Sequence, residues 1–313
     1  MLAIIAKRLL LIIPVMGVVS FVVFGLLYLS PTDPAAVIAG DYATQEAIEE
    51  IRTRLGLDQP LLFQYVHWLG NVLTGDLGTS IYENRPVTTV IAERFEPTIS
   101  LAISIVIFAT LFSVPLGLFS AWFAGRLVDR LTMIFAAIGT ATPLFIFAYA
   151  LVAVLAVKLG LLPAYGFVSI REGVGPFLYH IILPTLSAGL AYSAIIARVT
   201  RASSIEALNQ DYMRTARAKG LGVRKMIFGH ALPNASIPVV TVIGTRFATL
   251  LGGVVVAETV FAIPGIGRLS VDAILHSDFP VVQGVILVMS LVYVMTNLVV
   301  DILYTILDPR VRQ

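Results

Sequence analysis

Apolar residues fall into six long runs, each bounded by polar or basic connections. The runs are Leu9 to Leu29, about Thr98 to Phe123, Leu131 to Val157, Ile181 to Ala197, about Ile237 to Ala257, and Val281 to Val300. A bilayer crossing needs roughly 20 apolar residues, so each run predicts a membrane-spanning helix. The Ile181 to Ala197 run is the shortest. The first run follows Lys7-Arg8 and is longer than the apolar core of a cleavable leader, which points to an uncleaved anchor.

Between the first two runs lies a segment, 31–97, too long for a bare loop. In "EAIEEIRTRLGL", Ala47, Ile48, Ile51 and Leu55 recur at helical spacing and Gly56 ends the pattern. "PLLFQYVHWLGNVL" starts a second helix at Pro60, and "GDLGTS" reads as a turn. The chain therefore divides into a tail and first span (1–30), a small helical cap (31–97) and a membrane core (98–313). No direct or inverted repeat of the kind that builds secondary transporters is visible.

Composition agrees. The chain has 313 residues, 58% hydrophobic and 13% charged, with a mean hydropathy of +0.92. Soluble domains carry about 25% charged residues. The net charge of +2 gives no reason to expect a nucleic-acid partner, and the absence of cysteine excludes thiolate chemistry.

Where the charges lie matters more. The connection between the fourth and fifth runs holds Arg198, Arg201, Arg214, Arg217, Lys219, Arg224 and Lys225 against Glu206 and Asp211. The second-to-third connection carries Arg126 and Arg130, and both tails are basic. Segment 31–97 has ten acids against four arginines. The positive-inside rule then puts both termini and the basic connections in the cytoplasm, and the cap outside.

The long basic connection has more than charge. Ser203 and Glu206 match a capping box and predict a helix start. Gly220 followed by Leu221 predicts a glycine C-cap, with Leu221 packing back on Ala216. Ile205, Leu208, Tyr212 and Ala216 share a face, and a second short helix is predicted from about Val223 to Ala231, ending at Pro233. Charge alone fits a membrane-surface loop. The caps and the small Ala216 and Ala218 beside the basic residues suit a helix, about 203–221, that docks into a partner.

Catalytic chemistry is hard to find. There is no G-x-x-x-x-G-K-[ST] loop and no G-x-S-x-G elbow. His67, His180, His230 and His276 show no metal-ligand spacing. No catalytic residue and no metal site is predicted.

The polar signals in the spans are few. Arg246, in the middle of the fifth run, costs about 2.5–3.5 kcal/mol there on insertion scales and should face a wet path or a partner acid. Glu258 is twelve residues on, about 18 Å along a helix, too far for an intrahelical pair. Gly252-Gly253 permits close packing or a bend. Asn297 and Asp301, four apart, share a face.

Glu206-Ala207, Asp211-Tyr212 and "RTARAKG" (Arg214 to Gly220) resemble the EAA motif of ATP-binding-cassette importer permeases. Here Glu206-Ala207-Leu208 stands where the motif has a third small residue. "RLGLDQPL", "GDLGTS", "LPAYG", "ILPTLSAGLAYSAIIARVTRAS", "LLGGVVVAETVFAIPGIGRL", "DFPVVQG" and "NLVVDILYTILDPRVR" are similar, in order, to landmarks of the dipeptide/oligopeptide/nickel subfamily. At Pro31 to Pro34 the chain has threonine where that subfamily more often has glycine. The resemblance implies an all-α, six-span permease of the type I importer kind in a bacterial or archaeal plasma membrane.

It also implies partners. These are a second homologous permease, one or two cytoplasmic ATPase subunits that bind ATP and Mg, and an extracytoplasmic substrate-binding protein, with membrane lipid around the spans. No cofactor belongs to this chain. Glu206, Ala207, Asp211, Tyr212, Arg214, Ala216, Arg217, Ala218, Lys219, Gly220 and Leu221 would form the coupling element that docks on the ATPase. The resemblance places Glu258 at an outer gate; Arg246, where the subfamily more often has an uncharged polar residue, would line the path by its own cost in the bilayer, with Gly252 and Gly253 beside it. The implied cargo is di- or oligopeptides, with nickel chelates, glutathione or another small solute as alternatives. An ATP-independent carrier would need intramembrane acids, of which the spans hold almost none.

Overall fold

The computed structural model describes residues 2–29, 34–39, 43–54 and 56–307. Among the described residues there are helices and turns, one isolated β-bridge between Thr79 and Pro86, and no strand. The sequence expectations for the Thr32 turn and for Leu55 lie outside the described residues.

In order, the helices are α1 (Leu2–Leu29), α2 (Pro34–Ala39), α3 (Gln45–Arg54), α4 (Leu61–Leu73), α5 (Val87–Trp122), α6 (Leu127–Ala141) and α7 (Leu144–Leu151). They continue as α8 (Val174–Leu208), α9 (Asp211–Ala218), α10 (Val223–Met226), α11 (Leu232–Gly253), α12 (Val255–Val260), α13 (Ile266–Leu275) and α14 (Phe279–Leu307). Two π-helical stretches, Val152–Lys158 and Ile227–Ala231, extend α7 and join α10 to α11.

Among the described residues five helices are long and apolar enough to cross a bilayer, or six if α6 and the α7 segment count as one span. The third apolar run is thus not one straight helix. It bends by 106° between Ala141 and Leu144. Pro143 causes the break. The residue before a proline is pushed out of the helical region, and Thr142 is extended at φ −93°, ψ 125°. Prolines elsewhere (Pro14, Pro97, Pro115, Pro184, Pro238) sit inside continuous helices. Membrane helices tolerate them where neighbours re-satisfy the freed carbonyls.

The chain resolves into two compact units. One holds residues 97–264 and the chain from Thr296; α8 is its most enclosed long helix, packed against α6, α7 and α11. Its buried positions are mostly small: Ser187, Ala188, Gly189, Ser193, Ala194, Ala197, Thr200 and Ser204. Small side chains let helices approach closely, which is how membrane helices gain packing energy without a hydrophobic drive. Gly139 of α6 shows how closely: a Cβ there would stand 2.5 Å from the Ala194 methyl.

The second unit holds residues 2–96 and 265–295. Val87, Val90, Ile91, Ile266, Leu269, Ala273, Val281 and Val285 form its core. Asp278, 2% exposed, fastens the loop after α4 to the start of α14. It accepts from the Ser80 hydroxyl at 2.5 Å and from the Ile81 and Tyr82 amides at 3.1 and 3.2 Å. The cap helices form as expected: α3 stops before Gly56 (φ +67°), α4 begins after Pro60, and "GDLGTS" turns at Gly75 and Gly78.

Candidate functional site

The basic connection between α8 and α11 starts later than its sequence suggests. Ser203 and Glu206 do not start a helix; both lie inside α8, which runs to Leu208. A capping box needs extended backbone at its serine. Burial of Ser204 (0% exposed) and Ala207 (6%) holds this stretch helical instead. α8 closes at Asn209, whose amide donates to the Ile205 and Glu206 carbonyls at 3.2 Å each. The separate element is α9, eight residues after a two-residue link. The helix predicted to end at Pro233 also differs. α10 passes through the π-helical turn into α11, with Pro233 the second residue of α11 and no stop there.

The buried face of α9 is Met213 (1% exposed) and Ala216 (8%), three apart. Tyr212, expected on that face, is 39% exposed. The expected face fails because Ile205 and Leu208 belong to another helix. Met213 packs with Ala207, Met226 and Ala231, enclosed by Trp122, Leu208 and Leu221. Asp211, Tyr212, Arg214, Thr215, Ala218, Lys219 and Gly220 all face outward, as does Glu206 on α8. Arg214 pairs loosely with Asp211 at 3.5 Å, both side chains exposed. Partial burial pushes the Tyr212 hydroxyl above its ordinary pKa. The side chain of Arg217 lies outside the described residues.

The predicted C-cap is present. Gly220 has φ +76°, and the Leu221 amide donates to the Ala216 carbonyl at 3.3 Å, the 6→1 bond of a Schellman motif. Leu221 joins the Met213 cluster, so the cap also anchors the helix. α9 is therefore a short amphipathic helix held by one hydrophobic knot, with Arg214 exposed on its other side.

Two of the loop's arginines serve structure. Arg201 grips Asp129 of α6 with two nitrogens, the second to Oδ2 at 2.8 Å. Asp129 also accepts from the Ser120 hydroxyl and the Gly125 amide at 2.7 Å each. This ties α5, α6 and α8 together at one end. Arg198 donates to the Ala136 carbonyl and the Thr140 hydroxyl at 3.2 Å. Sequence reasoning missed both Met213 and Asp129. The signal for Asp129 was there: a lone acid between Arg126 and Arg130.

The residues expected along a path do not gather. Arg246 is half-buried on α11, close enough to Tyr192 of α8 to act on it electrostatically. Among the described residues no carboxylate lies within ion-pairing distance of it. Glu258 is not at an open helix end. It is 0% exposed inside α12 and accepts from the Thr98 hydroxyl at 2.6 Å. α11 ends at Gly253 and α12 begins at Val255, so a helix boundary falls at the glycine pair. What surrounds Gly252 and Gly253 lies outside the described residues. No cluster of three metal-ligating side chains occurs among the described residues.

Comparison with known proteins gives consistent matches. The family described as binding-protein-dependent transport system inner membrane component matches residues 113–313, and its N-terminal companion matches residues 1–102. A protein of Sinorhizobium fredii named "Probable peptide ABC transporter permease protein y4tP" is 47% identical over 308 residues, 98% of each chain. The glutathione transport system permease protein GsiC of Escherichia coli K12 is 44% identical over 312 residues, 100% of this chain and 99% of that one. Among solved structures, the inward-facing MetNI methionine ABC transporter aligns with a TM-score of 0.57 at 15% identity. That alignment covers 70% of this chain and 96% of the other.

Proposed function

The chain belongs to the binding-protein-dependent transport system inner membrane components, and from that premise we propose that α9 is where a cytoplasmic ATPase subunit docks. The protein is a multi-pass plasma-membrane permease subunit of an ABC importer. The observation that carries the docking role is the build of α9. Met213, Ala216 and Leu221 fix it from behind, and every other described side chain on it points outward. A loop that only obeyed the positive-inside rule would need no such anchor.

In this reading Glu206, Asp211, Tyr212, Arg214, Arg217, Ala218 and Lys219 form the contact face. Ala207, Ala216, Gly220 and Leu221 shape and fasten it. Closure of the ATPase pair around ATP and Mg pushes α9, which moves α8 through Asn209-Gln210 and α11 through α10. Alternating access then follows from a difference in contacts between two states. This chain supplies no catalytic residue; the assembled complex hydrolyses ATP. Both termini and the α8–α11 connection are cytoplasmic, and the acidic 31–97 segment meets a substrate-binding protein outside. A second, related permease completes the path. The cargo is a short peptide, the class in the names of the relatives above, with glutathione included. Arg246 faces the path and attracts a cargo carboxylate, while buried Glu258 with Thr98 braces α12 near the gate.

The test is co-purification. The chain, extracted in mild detergent, should bring ATPase subunits and a second permease with it. Arg214→Glu with Lys219→Glu, both fully outside the hydrophobic knot, should lose the ATPase subunits and keep the second permease. Retention of the ATPase by that double variant would refute the docking role, and transport by the chain alone without ATP would refute the subunit role.

A further inference from the structure

A cavity of about 640 Å³ opens between α4, the turn at 56–59, Phe24 of α1 and Gln283 of α14, all within one compact unit. Its depth follows from the helices. Phe24 lies five residues before the end of α1 and Gln283 four residues after the start of α14. At 1.5 Å per residue each is about 6–8 Å inside the end of its spanning helix.

The lining chemistry is selective. Phe24, Phe63 and Trp68 give aromatic walls, and Gln59, Gln64, Asn71 and Gln283 give amides. Among the described residues that line the cavity, none is Asp, Glu, Lys or Arg. The amide nitrogen of Gln64 is held by the Leu57 and Gln59 carbonyls at 3.1 and 2.7 Å, so that amide is fixed in place. The surrounding 31–97 segment is acid-rich, ten against four.

α4 presents three stripes. Tyr65 and Trp68 meet Phe21 and Phe24 of α1 edge-on or tilted, with ring centroids 5.5–5.6 Å apart. Gln64, His67 and Asn71 line the cavity. Leu62, Val66 and Leu73 are left 69%, 60% and 79% exposed. Beside them on α1, Val18, Phe21 and Val22 are 65%, 62% and 56% exposed. The Phe21–Tyr65 contact makes these two apolar faces neighbours, at the interface where Tyr and Trp concentrate.

We propose that this cavity holds the headgroup and glycerol region of a zwitterionic phospholipid, with its acyl chains on the exposed faces of α1 and α4. An anionic headgroup finds no Lys or Arg among the described lining residues and meets the negative field of a segment with ten acids against four arginines. An ammonium headgroup is drawn by that field and by the aromatic faces. The proposal needs α1 and α14 to span the membrane and is independent of the role of α9.

The chain has two tryptophans, so Trp122→Phe leaves Trp68 as the sole reporter. The full-length variant is placed in bilayers that mix brominated phosphatidylcholine with unbrominated phosphatidylglycerol, and Trp68 quenching is followed against mole fraction. Quenching should exceed the bulk fraction, with a selectivity for the zwitterion of about threefold or more. Asn71→Phe, which fills the cavity from an exposed position, should return the selectivity to one. Trp122→Tyr and Asn71→Leu serve if either first choice does not fold. A selectivity of one in the parent, a preference for the anionic lipid, or a selectivity that survives filling of the cavity would each overturn the proposal. Relief of quenching by excess soluble phosphocholine would do the same, assigning the cavity to a soluble zwitterion.

Discussion

Gly220→Val should uncouple ATP hydrolysis from transport while leaving the assembly intact. The backbone at 220 has φ +76°, which costs an L-residue about 1–2 kcal/mol, with a β-branched side chain at the upper end. Relaxing the backbone relieves that strain only by giving up the 3.3 Å bond from Leu221 to Ala216. A cap whose opening is made easier by about 1–2 kcal/mol is open about 5- to 30-fold more often. The damage stays local, because no heavy atom lies within 4 Å of a Cβ at this position. Leu221 is pulled from the Met213 knot, and α9 loses its rear anchor. The assay is a liposome reconstitution of the whole complex that reads ATP hydrolysed per cargo molecule imported. That ratio should rise in the order Gly, Asn, Ala, Val at position 220, because asparagine tolerates the left-handed region best of the three replacements. A wild-type ratio for Gly220→Val would show that α9 need not be rigid and would refute the coupling argument.

Other outcomes follow from single contacts. Asp129→Asn leaves Arg201 part-buried with a weakened partner and should lower stability by about 2 kcal/mol, read as a lower thermal midpoint in detergent with no change in cargo selectivity. Gly139→Leu forces α6 away from Ala194 and should abolish folded protein, whereas Gly139→Ala should cost about 1–3 kcal/mol in the same melt. Arg246→Gln should shift cargo affinity or selectivity more than it shifts the melt; a change in expression level alone would remove Arg246 from the path. Asp278→Ala should free the 78–86 loop from α14, raising amide exchange at Ile81 and Tyr82 before any other segment of that unit.

Much of the architecture was legible because the bilayer demands long apolar helices with internally satisfied backbones, and such runs announce themselves. Their ends and bends were not. The 106° turn at Thr142-Pro143 looks from hydropathy like the middle of one span, since five other prolines sit inside four helices without breaking them. What differs is the neighbourhood, which a sequence does not display. The Ser203–Glu206 box misled for a related reason: a local signal lost to tertiary packing of Ser204 and Ala207. At the other end of the element, Gly220 was legible because a positive φ is a local requirement that local sequence must meet. Met213 was overlooked because α9 was read in register with Ile205 and Leu208, across a helix boundary that shifts the face.

The brevity of the links around α9 sets a tolerance on its machinery. Asn209-Gln210 on one side and Lys219 to Gly222 on the other leave little chain to take up play, since a residue spans at most about 3.6 Å. In the proposed coupling, motion applied to α9 would pass to α8 through two residues and toward α11 through four and α10. Lengthening either link by one residue adds backlash of about that size without removing a single contact. Such a joint accepts many substitutions on its outer face and almost no insertions. Length, more than composition, is what such a joint holds fixed.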